Sequence, residues 1–149
     1  WRLGWALVPA DVVDAMNRYS ANMFLAPPTL AQHIALVAMD EQAELQEHVA
    51  TYAKNRQLLV AALPEFGITR IAPADGAFYI YADVAHLTGD SLAWCRELLD
   101  ATGVALNTGR DFDSVHGGNF IRMSFAVSTP EILKALELLG GWLHRRSHA

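Results

Sequence analysis

From Pro28 onward the apolar residues change their period repeatedly, and that alternation leaves few folds open. Leu30, Ile34, Val37, Leu45, Val49, Tyr52, Leu59 and Leu63 recur at spacings near three, four and seven. This pattern predicts one long helix from Thr29 to about Leu63, closed by Pro64 and Gly67. The period then shortens. "GITRI" and "AFYIYADV" read as strands, "DSLAWCRELLDATG" as a helix capped by Asp90 or Ser91 and ended by Gly103, and "VALNTG" and "NFIRMSFAV" as two further strands. A last helix opens at "STPE", where Ser128 and Glu131 form a capping box and Thr129-Pro130 is an alternative cap. Ile132, Leu136, Leu139 and Leu143 form its stripe, and "RRSHA" reads as a frayed tail. The order helix, two strands, helix, two strands, helix predicts an α+β domain, with helices packed on a small, mainly antiparallel sheet, over residues 28–149.

Residues 1–27 do not fit that scheme. "WRLGWALV" reads as a strand so apolar that it wants neighbours on both sides, and Pro9 starts a short helix after it. We expect these residues to be the last strand and helix of a different, α/β domain. Large apolar faces seldom stay bare, so residues 1–27 without a host domain are expected to pair with a second copy.

Composition removes several functions. Hydrophobic residues make up 52% of the chain, which argues against disorder. The net charge of −5 is scattered, and no run of Lys and Arg offers a surface to nucleic acid or anionic lipid. No apolar stretch reaches the roughly 18 residues of a membrane helix. The N-terminus lacks the order of a secretory signal, and a single cysteine, Cys95, excludes an intrachain disulfide and suits a reducing, cytoplasmic compartment. Cys95 reads as a buried helical residue rather than a reactive thiol.

Chemistry concentrates at two arginines. In "NFIRMSFAV", Phe120, Arg122 and Ser124 share one strand face, and Ile121, Met123 and Phe125 share the other. A guanidinium in a central strand is costly unless paired, and its planar fork suits a carboxylate bidentately. Pattern alone leaves Arg122 either a structural salt bridge or a ligand carboxylate site. Arg2, set between Trp1 and Leu3, is either a strand-end surface residue or a buried anion site. In "DGAFYIYADV", Gly76 permits a close backbone approach or a bulge, and the Tyr79 hydroxyl is within reach of a ligand, though composition favours core packing for it. His33, His48, His116, His144 and His148 show no metal-ligand spacing beside a second ligand type, so no metal is expected. "SVHGGN" lacks the lysine and helix start of a phosphate loop, and Glu41, Glu44 and Glu47 read as a solvated helix face.

Five stretches, in this order, resemble the C-terminal part of a fold type I, class I/II pyridoxal-phosphate aminotransferase of the aspartate aminotransferase kind. They are "WRLGW" with its proline-started helix, "APPTLAQHIALVA", "GAFYIYADV", "GVALNTGRDF", and "FIRMSFA" with its capped helix. The resemblance implies that residues 1–27 are a remnant of the large cofactor-binding domain and residues 28–149 the C-terminal small domain. It implies that Arg2 holds the phosphate of pyridoxal 5′-phosphate and that Arg122 grips the substrate α-carboxylate. It further implies amino-group transfer between a small amino acid and a 2-oxo acid, and a homodimer. The Schiff-base lysine of the family would lie just before Trp1. Neither Lys54 nor Lys134 follows the family pattern, so these residues alone are expected to be inactive and not to retain the cofactor. Two departures stand out. Leu25-Ala26 replaces a frequent Ser-Asn pair, and Thr108 replaces the usual proline before Gly109, which predicts a less rigid loop at the substrate entrance. Elimination and decarboxylation run on the same fold. A ligand-binding effector domain of a transcription regulator is the alternative from another class, and a structural domain with degenerate sites is a third.

Overall fold

In the computed structural model, which describes residues 2–147, five helices and a three-stranded antiparallel sheet form among the described residues. This is the α+β architecture that the alternating periods predict. The chain divides into two units, Trp1–Gln46 and Glu47–Ala149.

In the first unit, residues 2–9 take no regular structure. The strand expected there does not form, because a ladder needs a partner strand and none lies among the described residues of this unit. Trp1 lies outside the described residues. Helix α1 (Ala10–Phe24) starts directly after Pro9, whose ring fixes φ at −56°, already close to helical. Helix α2 (Thr29–Asp40) follows Pro27-Pro28, and the Gln32 Nε2 donates to the Pro27 carbonyl at 3.0 Å, taking up an acceptor beside the helix start. Ala31 is the buried apolar residue of the described part of this unit, while Trp5, Leu7, Tyr19, Phe24 and Leu25 are exposed.

The long helix expected from Thr29 to Leu63 is two helices. Glu41 leaves helical geometry at ψ 49° and separates α2 from α3 (Gln42–Ala62). The break is made good locally: the Gln42 Nε2 donates to the Met39 carbonyl at 2.7 Å, so one of the orphaned acceptors at the end of α2 is satisfied. Glu41, Glu44 and Glu47 are exposed, as a solvated face requires.

The second unit holds the core. Strand β1 (Tyr79–Asp83) pairs antiparallel with β3 (Phe120–Ser124), and β3 pairs with the two-residue β2 (Asn107–Thr108), giving the order β1-β3-β2. Of "GITRI" only Ile71 joins the sheet, by a single bridge to Ala82. Helices α4 (Ser91–Thr102) and α5 (Thr129–Ser147) complete the unit. Their caps are those the sequence predicts. The Asp90 carboxylate accepts from the Leu92 and Ala93 N–H groups, and Gly103 ends α4 at φ 77°. The Ser128 N–H donates to Glu131 Oε2 at 3.0 Å ahead of α5. That helix continues through Ser147 rather than fraying at Arg145, a basic last turn being favourable at a helix C-terminus. His148 lies outside the described residues.

Ile80, Ala82, Ile121 and Met123 face inward from β1 and β3 against Leu59, Leu63, Trp94, Leu98, Ile132, Leu136 and Leu139. Cys95 joins this core, and burial pushes its thiol up to about 11, which keeps it protonated and inert. Asn55 ties α3 to the chain beyond β3. Fully buried, it donates from Nδ2 to the carbonyls of Phe125 (3.1 Å) and Val127 (2.7 Å). Asn55→Ala strands both acceptors and is expected to cost about 2 kcal/mol. Denaturant unfolding checks it, and a change within about 0.5 kcal/mol would count against this role.

Candidate functional site

Strand alternation gives the sheet a second face. Opposite the core residues, β1 presents Tyr79, Tyr81 and Asp83, and β3 presents Phe120, Arg122 and Ser124, with Tyr81 registered against Arg122 and Asp83 against Phe120. Tyr79 therefore belongs to the open face, half-buried, and not to the core that composition favours for it. Its neighbour Ile80 takes the core position. Gly76 makes no close approach, since a Cβ there would meet nothing within 4 Å. The left-handed residue of that turn is Ala77, at φ 57°.

The open face is aromatic. The Tyr81 and Phe120 rings stack at 4.9 Å and 2° between planes. Phe112 reaches in from the loop after β2, with its ring centroid 5.7 Å from Tyr79 and 5.9 Å from Tyr81. The Arg122 guanidinium lies 4.8 Å from the centre of the Phe112 ring and 5.5 Å from that of Tyr79. It makes no hydrogen bond or ion pair among the described residues. The buried carboxylate of the sheet, Asp83, is engaged elsewhere: it binds Arg70 Nη1 at 2.8 Å and accepts from the Ala85 N–H at 2.8 Å. So of the two readings left open by the pattern, the internal salt bridge is not the one formed among the described residues.

The loop carrying Phe112 is built by three devices. Gly109 and Gly117 pack backbone against backbone, and a Cβ at Gly109 would lie 2.7 Å from Phe120 Cβ and 2.6 Å from the Tyr81 hydroxyl. Asp113 Oδ1 accepts from the N–H groups of Val115 (2.8 Å) and His116 (2.9 Å), folding the loop into an Asx-type turn. Thr108 stands in for the usual proline: its Oγ1 lies 2.6 Å from the Ser91 hydroxyl and accepts from the Arg110 N–H at 3.3 Å, while the buried Ser91 donates to the Gly117 carbonyl at 3.0 Å. At Thr108 the loop is tethered by hydroxyls.

On this face and in its loop, Tyr81 and Asp113 titrate away from their ordinary values. Burial, and second the Asp113 carboxylate, push the Tyr81 phenol up, so it stays protonated at neutral pH. The N–H groups of His116 and Val115 hold the Asp113 carboxyl below its usual range. A carboxylate lowered by folding stabilises above its unfolded pKa, and that contribution is lost as pH falls through the folded value. Asp113→Asn keeps the accepting oxygen but removes the titration. It is expected to flatten the fall in melting temperature below about pH 4. Thermal unfolding across that range checks this, and an unchanged acid slope would refute it.

Arg2 stands in the first unit, exposed, with φ 59° and without an ion pair among the described residues. Lys134 pairs with Glu137 at 2.9 Å, and Lys54 is exposed on α3. Among the described residues no group of three His, Cys, Asp or Glu side chains could hold a metal, and no helix is long and apolar enough to cross a membrane. The sequence singles out Arg122 and the residues of its strand face, but not its neighbour Phe112, whose position depends on turns that no periodicity announces.

Known aminotransferases resemble this chain over nearly all of its length. The chain is 48% identical over 145 residues to a valine–pyruvate aminotransferase of Mycobacterium tuberculosis, covering 96% of this chain and 37% of that protein. It is 33% identical over 141 residues to an aspartate/prephenate aminotransferase of Thermus thermophilus, covering 92% and 35%. A crystal structure of an aminotransferase from Mycobacterium tuberculosis superposes with a TM-score of 0.87 at 47% identity, over 97% of this chain and 38% of that one. The chain thus spans somewhat over a third of the length of the curated relatives it matches. Residues 1–139 match the family of class I and II aminotransferases, and the chain belongs to that family.

Proposed function

We propose that this chain is the C-terminal part of a pyridoxal-phosphate-dependent aminotransferase that exchanges an amino group between a neutral amino acid, valine in the first instance, and pyruvate. The observation that carries the reading is Arg122: a half-buried guanidinium on an aromatic sheet face with its donors unspent. Its fork would take the substrate α-carboxylate bidentately and fix rotation about the Cα, which aligns the bond to be broken. Tyr79, Tyr81 and Phe120 share its sheet face. Identity to the mycobacterial valine–pyruvate enzyme supports the choice of substrates.

In this reading residues 1–27 belong to the large cofactor-binding domain and residues 28–149 to the small domain. Arg2, exposed and unpaired among the described residues, fits the phosphate of the cofactor. When bound, pyridoxal phosphate supplies the electron sink for the charge developing at the substrate Cα. The lysine and the ring-binding residues that complete such a site are not assigned to any of these 149 residues, so catalysis belongs to the longer protein, which we place in the cytoplasm as a homodimer.

The test is transamination by the full-length protein, with alanine formation from pyruvate followed for valine, aspartate and an aromatic amino acid. Preference for valine is the expected result. Preference for aspartate would overturn the substrate assignment, and the absence of turnover with every donor would overturn the enzyme.

A further inference from the structure

The geometry points to Phe112 as a positioning residue for Arg122, an inference that rests on the reading of Arg122 as the carboxylate grip. An arginine side chain carries about 2 kcal/mol of rotamer entropy, so a fork held only by its backbone is not aimed. Strand β3 fixes the Cα of Arg122, with Tyr81 registered on one side and Asn107 on the other. Beyond the Cβ, hydrogen bonds to an acid would be the ordinary restraint, but they would spend the donors that a substrate needs, and none is present among the described residues.

The aromatic rings restrain the group differently. The guanidinium, the Phe112 ring and the Tyr79 ring stand 4.8, 5.5 and 5.7 Å apart, a nearly equilateral triangle. Both rings therefore lie to one side of the cation and do not enclose it. A cation within about 6 Å of a ring centre is attracted to the ring face. A guanidinium that meets a ring by its face keeps its N–H edge free for an in-plane, bidentate carboxylate.

Phe112 is not where it is for the sake of the core. It is 54% exposed and lies outside the buried cluster. Its loop is nevertheless tightly specified: the Phe112 and Asp113 N–H groups both donate to the Gly109 carbonyl, at 3.0 and 3.1 Å. A side chain with little stabilising role is delivered by a fixed loop onto one cation.

The experiment uses the full-length protein with the F112L, F112W and R122A variants. F112L keeps an apolar side chain and removes the ring. It is expected to raise KM for valine and for pyruvate about five- to tenfold while kcat changes less than about twofold, and F112W is expected to restore KM. The slow reaction with isobutylamine, which is valine without its carboxylate, should be unchanged by F112L. If F112L impairs isobutylamine as much as valine, the ring merely supports its loop and the inference is overturned. If R122A raises KM and F112L leaves it unchanged, the inference fails while the reading of Arg122 stands. If R122A itself leaves KM unchanged, that reading fails and takes the inference with it.

Discussion

Arg122→Ala is expected to raise KM for the amino acid and the oxo acid at least about a hundredfold in the full-length protein, while the melting temperature holds or rises. The binding loss follows from two charge-assisted hydrogen bonds, each contributing about 1.5–3 kcal/mol, given up together. The stability result follows from the lack of an internal partner. Removing one member of a half-buried ion pair normally strands the other. Arg122 has no such partner among the described residues, so its removal strands nothing and relieves the desolvation of an uncompensated cation. Its stacking on Phe112 and Tyr79 offsets that relief only in part. Arg122→Lys keeps the charge and loses the fork, and should fall between the two. Steady-state kinetics and a thermal melt on the same preparations check both halves. A KM within about twofold of the parent, or a fall in melting temperature as large as a core substitution causes, would sink the argument.

Gly117→Ala is the second large effect, and it falls on stability. A Cβ at Gly117 would fall inside the backbone of Gly109 and 2.7 Å from the Arg110 Cα. Backbone cannot swing aside as a side-chain tip can, so one loop segment has to leave the other. Overpacking of this kind costs about 1–3 kcal/mol, and the absence of any flexible neighbour places this case at the upper end. A loss of about 3 kcal/mol would lower the melting temperature by on the order of 10 °C. Gly118→Ala is the internal control, because its Cβ would meet nothing nearer than the Gly89 carbonyl at 3.4 Å, and it should change stability by less than about 1 kcal/mol. Equal effects at the two positions would show that chain flexibility, not space, is what these glycines supply.

The elements that were legible in the sequence are those whose signals are local. Asp90 and Gly103 bracket α4, and the Ser128–Glu131 pair opens α5, because a cap is a contact between near neighbours. The split between the Ile121 and Arg122 faces was legible for the same reason, since a strand has a period of two. What misled was anything set by partners distant in sequence. "WRLGWALV" has the composition of a strand, but its residues 2–8 find no ladder partner among the described residues. Glu41 is a good helix former that nevertheless ends a helix, with Gln42 satisfying the break. "VALNTG" narrows to two paired residues. The place of Phe112 beside Arg122 was invisible because Asp113, Gly109 and Gly117 shape the loop that carries it. The contact between the Thr108 and Ser91 hydroxyls was not legible either, since it joins residues 17 apart in sequence.

The division of labour between the two faces of the sheet has a consequence for how such a protein diversifies. Ile80, Ala82, Ile121 and Met123 sit against the helices, so drift at these positions is restrained by folding. Tyr79, Tyr81 and Phe120 alternate with them along the strands and belong to the opposite face. Side chains around the guanidinium can therefore vary without reopening the contacts between sheet and helices.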